Sequence, residues 1–194
     1  CLLDPKGAIE FNGNSTEKLV KASIVAKVKK LIYLSTAHVY CSPLHGEITE
    51  ESPLLNNHPY ATSHHLGELA VLKHSRTVRN YEGIVLRLSN GVGAPLHKKA
   101  NCWMLAINDF CRQVIENRII EVNSPAAVER DFFPIETLCK AINSIISLDS
   151  LNEEIINVSS SQTKRLSEII SIISQRTEKL YGFMPEVNYR NKDL

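Results

Sequence analysis

The chain has 194 residues, 43% hydrophobic and 22% charged, with 22 basic against 21 acidic side chains and a formal net charge of +1. A domain of this size buries roughly 70% of the surface its unfolded chain exposes, so a substantial core is possible and the composition does not suggest disorder. The near-balanced charge argues against nucleic-acid or membrane-surface binding, and no apolar run approaches the ~18 residues of a membrane helix.

Residues 1–13, interrupted by Pro5, Gly7 and Gly13, read as irregular. Asn14 followed by Glu17 resembles a capping pair, and Leu19, Val20, Ile24, Val25 and Val28 predict a helix to about Lys29. The run "KLIYLST" (30–36) predicts a buried strand with hydroxyls at its C-terminal end. Pro43, Gly46, Pro53 and Pro59 make 41–59 a long loop, a length that in compact domains is usually functional. A helix follows from about Tyr60 to Arg76, with Pro59 near its first turn. "GIVLRLSN" (83–90) predicts a second strand, followed by the loop "GVGAP".

Residues 103–118 are amphipathic, with Trp103, Ile107, Phe110, Cys111, Val114 and Ile115 on one broad face. "IIEV" (119–122) predicts a short strand, 135–147 a helix, 154–160 a strand and turn, and 165–180 a helix; the tail from Gly182 reads as irregular. Strands alternating with helices predict an α/β fold with a mainly parallel sheet.

The five cysteines are odd in number and lack a C-x-x-C spacing, which argues against a disulfide framework or a cysteine zinc site and favours a reducing, cytoplasmic setting. No signal peptide is evident. The chain begins with Cys1 rather than Met, as a processed product or a piece of a longer protein would. His97–Lys98–Lys99 is a compact basic cluster and reads as a solvated loop. Cys111 and Cys139 read as packing residues on apolar faces. His64, Glu68 and nearby His58 are too loosely spaced for a zinc site, so no metal is expected. No G-x-S-x-G supports a hydrolase triad.

Ligands of open α/β sheets bind beyond the carboxyl ends of the strands. Thr36, Asn90 and Tyr60, which lies 24 residues beyond Thr36, are placed to converge there. The alternative is that Thr36 caps a strand end, Tyr60 is half-buried and Asn90 makes a turn.

Six segments, in order, resemble the extended short-chain dehydrogenases/reductases, the nucleotide-sugar epimerase/dehydratase family. "NGNST" (12–16) is similar to N-x-x-G-T, "LIYLSTAHVY" to S-[ST]-x-x-V-Y-G, and "PYATSHHLGE" to P-Y-x-x-S-K-x-x-x-E. "LRLSNGVGAP" is similar to L-R-x-x-N-V-Y-G-P, "ERDFFPIETL" to R-D-[FY]-[IV]-H-V-x-D-[LA], and "EIINVSSSQTKRLSEI" to N-V-G-[SG]-x-x-x-[ST]-x-x-E-[IL]. The resemblance implies a partial Rossmann-type doubly wound parallel sheet with a small C-terminal substrate-binding region. Residues 1–89 would be the remainder of the Rossmann part and 90–194 mostly substrate-binding, with 131–158 returning to the Rossmann part.

It also implies an NAD(P)-dependent epimerase or reductase acting on a nucleotide-linked sugar. Thr36 would hydrogen-bond the reacting oxygen of the sugar, Tyr60 would be the catalytic acid/base, and Asn12 would lie near the cofactor. Asn90 and Arg130 would contact the substrate diphosphate. A homodimer through residues 14–29 and 60–76 is implied as well.

The departures are specific. A phenol of pKa near ~10 is a poor base unless its anion is stabilised, and the family does this with a lysine four residues after the tyrosine, on the same helical face. Here that position is His64, assigned with Thr36 and Tyr60 to catalysis and with Asn12 and Tyr60 to the cofactor. Either His64 is protonated and supports an acid-shifted enzyme, or the protein binds a nucleotide or sugar without turnover, or the family core persists as a remnant domain. Cys41 replaces a glycine, Pro134 a histidine, and Ala37–His38 the Asp–Glu pair of 4,6-dehydratases, which counts against dehydration. The G-x-x-G-x-x-G turn that cradles the cofactor pyrophosphate has no counterpart. The resemblance starts just after the family's fourth strand, so the cofactor-binding half is expected outside this chain and the strand at 31–35 is expected to have an unpaired edge.

Overall fold

The computed structural model describes residues 1–97 and 99–190, so Lys98 of the basic cluster lies outside the described residues. The first helices are α1 (Pro5–Ile9) and α2 (Ser15–Val25), joined through a π-helical turn at Glu10–Asn14, and β1 (Lys30–Thr36) leads into a 3₁₀ turn at Ala37–Val39. Then come α3 (Pro59–Thr77), β2 (Glu82–Leu88), β3 (Asn90–Val92), α4 (Ala106–Asn117), β4 (Ile119–Val122) and β5 (Glu129–Pro134). The chain continues with α5 (Ile135–Ser147), β6 (Ile155–Val158), β7 (Thr163–Arg165), α6 (Leu166–Tyr181) and β8 (Glu186–Tyr189).

Contacts divide the chain into two compact units, Cys1–Ser89 with Thr137–Ser159, and Asn90–Glu136 with Ser160–Leu194. The first unit is built on a parallel sheet in the order β1-β2-β6. Central β2 is buried from Gly83 to Arg87, as a strand covered on both faces should be. Its partner β1 is an edge strand, only half-buried along most of its length, with Leu34 exposed. Val20 of α2, Val71 and Leu72 of α3, Tyr81 and Val85 form its core. In the second unit β3 pairs parallel with β5, and β5 antiparallel with β7. A separate parallel pair, β4 and β8, packs with α4 and α6 around Phe110, Val114, Ile120, Val122, Leu166 and Ile170.

The expected α/β class with parallel pairing is observed, although the sheets are small. Several local expectations need correction. Residues 5–13 are helical rather than irregular: Pro5 sits in the first turn, where its missing N–H costs nothing, and the Asp4 carboxylate accepts the Gly7 N–H at 2.8 Å. α2 stops at Val25, before Lys29, because Lys27 turns into the left-handed region at φ 57°. Gly91 and Val92, expected as loop, form with Asn90 a separate short strand, and Glu186–Tyr189 in the supposedly irregular tail pairs with β4. Cys111 and Cys139 are exposed rather than packed, as are Ile115 and Ile146, because the apolar faces of α4 and α5 are wider than the surface that covers them.

Among the described residues, no helix is long and apolar enough to cross a membrane.

Candidate active site

α3 carries the centre of the site. His58 caps it, its Nδ1 accepting the Tyr60 N–H at 3.2 Å, so the tyrosine emerges in the first turn. One turn on, His64 meets it: the two rings stand edge to face with centroids 4.6 Å apart. The Tyr60 side is open to solvent, whereas His64 is half-buried. Burial holds the His64 imidazole below its ordinary value, the Glu68 carboxylate opposing this only in part. His64 is therefore neutral at neutral pH, and the charge that a lysine would bring to this position is missing.

Tyr33, from β1, closes the other side of His64, with its hydroxyl 3.5 Å from Nδ1. Burial pushes that phenol up to about 12, so Tyr33 stays protonated and acts as a neutral neighbour. The same residue explains why position 67 is glycine. A Cβ there would lie 2.3 Å from the Tyr33 hydroxyl and 2.7 Å from the Asn12 carbonyl.

Asn12 belongs to the π-helical turn, a geometry often found at functional positions. Its Nδ2 donates to Ser63 Oγ at 3.0 Å, and Ser63 Oγ donates to the Tyr60 carbonyl at 3.0 Å. The turn holding Asn12 is thus fastened to the helical turn that presents Tyr60 and His64. Thr36 ends β1 and caps the 3₁₀ turn, its Oγ1 accepting the His38 N–H at 3.2 Å. That bond uses a lone pair and leaves the Thr36 O–H to donate, from a residue that is 5% exposed.

Behind this row lies a buried ion pair that sequence reasoning missed. Glu68 is fully buried and Arg87 nearly so. Arg87 Nη2 donates to Glu68 Oε2 at 2.7 Å, and Nε reaches both carboxylate oxygens at 3.1 and 3.3 Å. Ser35 Oγ also donates to Glu68, while Arg87 Nη1 donates to the Tyr40 hydroxyl at 2.9 Å. The Tyr40 hydroxyl in turn donates to Asn157 Oδ1 at 2.8 Å. One network therefore joins β1, the 3₁₀ turn, α3, β2 and β6. The signal was present in the sequence: a lone arginine inside "GIVLRLSN" must find an acid if the strand is central. Glu68, weighed above as a partner of His64 around zinc, is that acid. No group of three or more metal-type ligands occurs among the described residues.

Asn90 and Arg130 belong to the second unit, whereas Thr36, Tyr60, His64 and Asn12 belong to the first. Asn90 Nδ2 donates to the Asp131 carbonyl at 2.8 Å, which pins its side chain beside β5, and Arg130 is exposed on that strand. The same unit contains an apolar cavity of about 500 Å³ along α4, walled by Val92, Pro95, Trp103, Ile107, Cys111 and Ile115. The Arg112 guanidinium stacks over the Trp103 ring at 5.3 Å. Neither Asn90 nor Arg130 lines that cavity.

Comparison with known proteins agrees with this architecture. The chain is 25% identical over 138 residues to dTDP-glucose 4,6-dehydratase of Streptomyces niveus, a match covering 71% of this chain and 39% of that protein. It is 37% identical over 83 residues to UDP-glucose 4-epimerase 2 of Oryza sativa subsp. japonica, covering 43% of this chain and 20% of the relative. The chain thus spans less than half the length of these relatives. Among solved structures, dTDP-glucose 4,6-dehydratase DesIV of Streptomyces venezuelae, determined with NAD bound, superposes with a TM-score of 0.79 at 21% identity, covering 97% of this chain and 55% of the other. MoeE5 in complex with UDP-glucose and NAD gives a TM-score of 0.77 at 20% identity, covering 92% and 56%. These likenesses show a Rossmann-type fold, and residues 1–159 match the description "NAD dependent epimerase/dehydratase family". The chain belongs to the NAD dependent epimerase/dehydratase family.

Proposed function

We propose that this chain carries the proton-transfer centre of an NAD- or NADP-dependent epimerase or reductase acting on a nucleotide-linked sugar. The observation that carries the reading is the α3 arrangement: an exposed Tyr60 in ring contact with His64, on a helix fastened to Asn12 through Ser63. In this reading Tyr60 moves the proton of the reacting sugar hydroxyl and Thr36 donates a hydrogen bond to the same oxygen. NAD or NADP, when bound, supplies the acceptor and donor of hydride. The polar groups present suit its ribose: a neutral His64 has one ring N–H to donate and one ring nitrogen to accept, and Asn12 adds an amide. Asn90 and Arg130 would hold the diphosphate of the substrate. Leu19, Leu66 and Leu69, exposed on α2 and α3, would lie in the homodimer contact that the family resemblance implies.

A neutral His64 changes the chemistry. It cannot stabilise a phenolate by charge, so the proton of Tyr60 is costlier to remove at neutral pH than with a lysine at that position. This observation favours a second reading, in which the domain binds a nucleotide or sugar without turnover. Assays with NAD or NADP and UDP-glucose or dTDP-glucose separate the two. The catalytic reading expects measurable epimerisation or reduction, abolished by Tyr60→Phe and raised at neutral pH by His64→Lys. Rates unchanged in both variants remove the pair from the mechanism, and binding of the nucleotide sugar with no turnover in any variant establishes the second reading.

A further inference from the structure

The second unit contains a charge arrangement that the site above does not use. β5 and β7 pair antiparallel with Glu129 opposite Arg165, Arg130 opposite Lys164, and Asp131 opposite Thr163. Residues directly opposed in such a ladder share a face, with Cβ atoms ~4.5–5.5 Å apart. Glu129 and Arg165 use this proximity and form an ion pair at 3.4 Å. One residue along, on the opposite face, the opposed pair is two cations. Neither Arg130 nor Lys164 has an acidic partner among the described residues.

Like charges directly opposite weaken a ladder, and the register does not let them escape. The Asp131 carboxylate accepts the Ser160 N–H at 3.0 Å, the Ser160 hydroxyl at 2.6 Å and the Gln162 N–H at 3.2 Å. Beyond them, the Arg165 N–H donates to Glu168 at 2.7 Å and starts α6. The strand between these two anchors is only three residues long, so Lys164 is held against Arg130. On the other side, β3 runs parallel to β5 with Asn90 opposite Phe132. Strand alternation puts Phe132 on the same face as Arg130, and the register puts Asn90 there too. One face of the β3-β5-β7 sheet therefore presents an amide, a half-buried ring and two uncompensated cations in a row.

We propose that Lys164 is the second cation of an anion site on this face, acting with Arg130 on the diphosphate of the nucleotide-linked sugar. The identity of the ligand rests on the function proposed above; the site itself rests on the register. A diphosphate linkage carries a negative charge on each phosphoryl group, so two adjacent cations match it as one would not. Arg130 offers a planar fork of donors and Lys164 a compact point charge. The bound anion removes the cross-strand repulsion that the empty ladder carries, so binding and β7 pairing reinforce each other.

The test uses calorimetry with inorganic pyrophosphate and with UDP on the wild-type protein, Lys164→Ala, Lys164→Arg and Arg130→Ala, together with thermal melts without ligand. The expected result is binding of both probes, weakened about tenfold in each alanine variant and retained in Lys164→Arg. Without ligand, Lys164→Ala should melt at the wild-type temperature or above, because it relieves repulsion, whereas a lysine needed only for packing would lower it. The proposal is overturned if Lys164→Ala binds both probes like wild type while Arg130→Ala does not, if Lys164→Ala alone lowers the melting temperature of the free protein, or if the wild type binds neither probe. Failure of the catalytic reading is seen elsewhere: Lys164-dependent binding without Tyr60-dependent turnover keeps this site and removes the reaction.

Discussion

Arg87→Leu probes the network that stands behind the Tyr60 helix. The substitution keeps an apolar side chain in central β2 but removes four hydrogen bonds of 2.7–3.3 Å, three to Glu68 and one to Tyr40. It strands a carboxylate whose side chain is 0% exposed, with the Ser35 hydroxyl and a 3.4 Å approach of His65 as its remaining partners. Removing one member of such a buried pair costs about 3–5 kcal/mol. At about 2–4 °C per kcal/mol for a chain of this size, the melting temperature should fall by roughly 6–20 °C. Arg165→Ala, which breaks the exposed Glu129 pair, is the control and should cost under about 1 kcal/mol. Calorimetric melts of these variants and of the Glu68→Leu/Arg87→Leu double variant provide the assay. The double variant should be more stable than the sum of the two single losses predicts. A deficit below about 1 kcal/mol, or losses that add in the double variant, would refute the account of a tightly coupled buried pair.

Two further outcomes follow from the same helix. Gly67→Ala should destabilise by about 1–3 kcal/mol, and trimming the hydroxyl in a Gly67→Ala/Tyr33→Phe variant should not restore the loss, because the ring Cζ at 2.5 Å and the Asn12 carbonyl at 2.7 Å still block the new Cβ; full rescue in melts would show that only the Tyr33 hydroxyl matters. Burial lowers the His64 value when folded, so the unfolded chain binds the proton first and stability is fully present above about 6.5 and declines as pH falls below it. Urea denaturation of wild type and His64→Gln at pH 8 and pH 5 should show a smaller acid loss in the variant, and equal losses would mean that His64 is not desolvated.

Long periodic segments were legible in the sequence, and short pairing segments were not. The apolar runs at 30–36 and 83–90 and the helical period over 135–147 match β1, β2 and α5. β5, β7 and β8 read "ERDFFP", "TKR" and "EVNY", with little apolar alternation. Such strands are set by partners distant in sequence, as β8 is by β4, and propensity over three to six residues cannot register that. Proline and glycine hid α1 because a proline in the first turn starts a helix as readily as it interrupts one.

The site divides in the same way. The four-residue step from Tyr60 to His64 is a local fact, visible in the sequence and realised as ring contact. The protonation of His64 is a tertiary fact. It depends on Tyr33 from β1 closing one side of the ring and on how much of the Glu68 field survives. Glu68 lies one turn beyond His64 and would favour an imidazolium, but its carboxylate is held by a fork of Arg87 donors and a serine hydroxyl, so much of that field is spent inside the sheet. Burial then outweighs what remains. The charge of the α3 site is thus set first by the burial of His64, while the partner that holds Glu68 is Arg87, on a different strand, a pairing that could be reached from the sequence only by asking what a lone arginine in a buried run must be paired with.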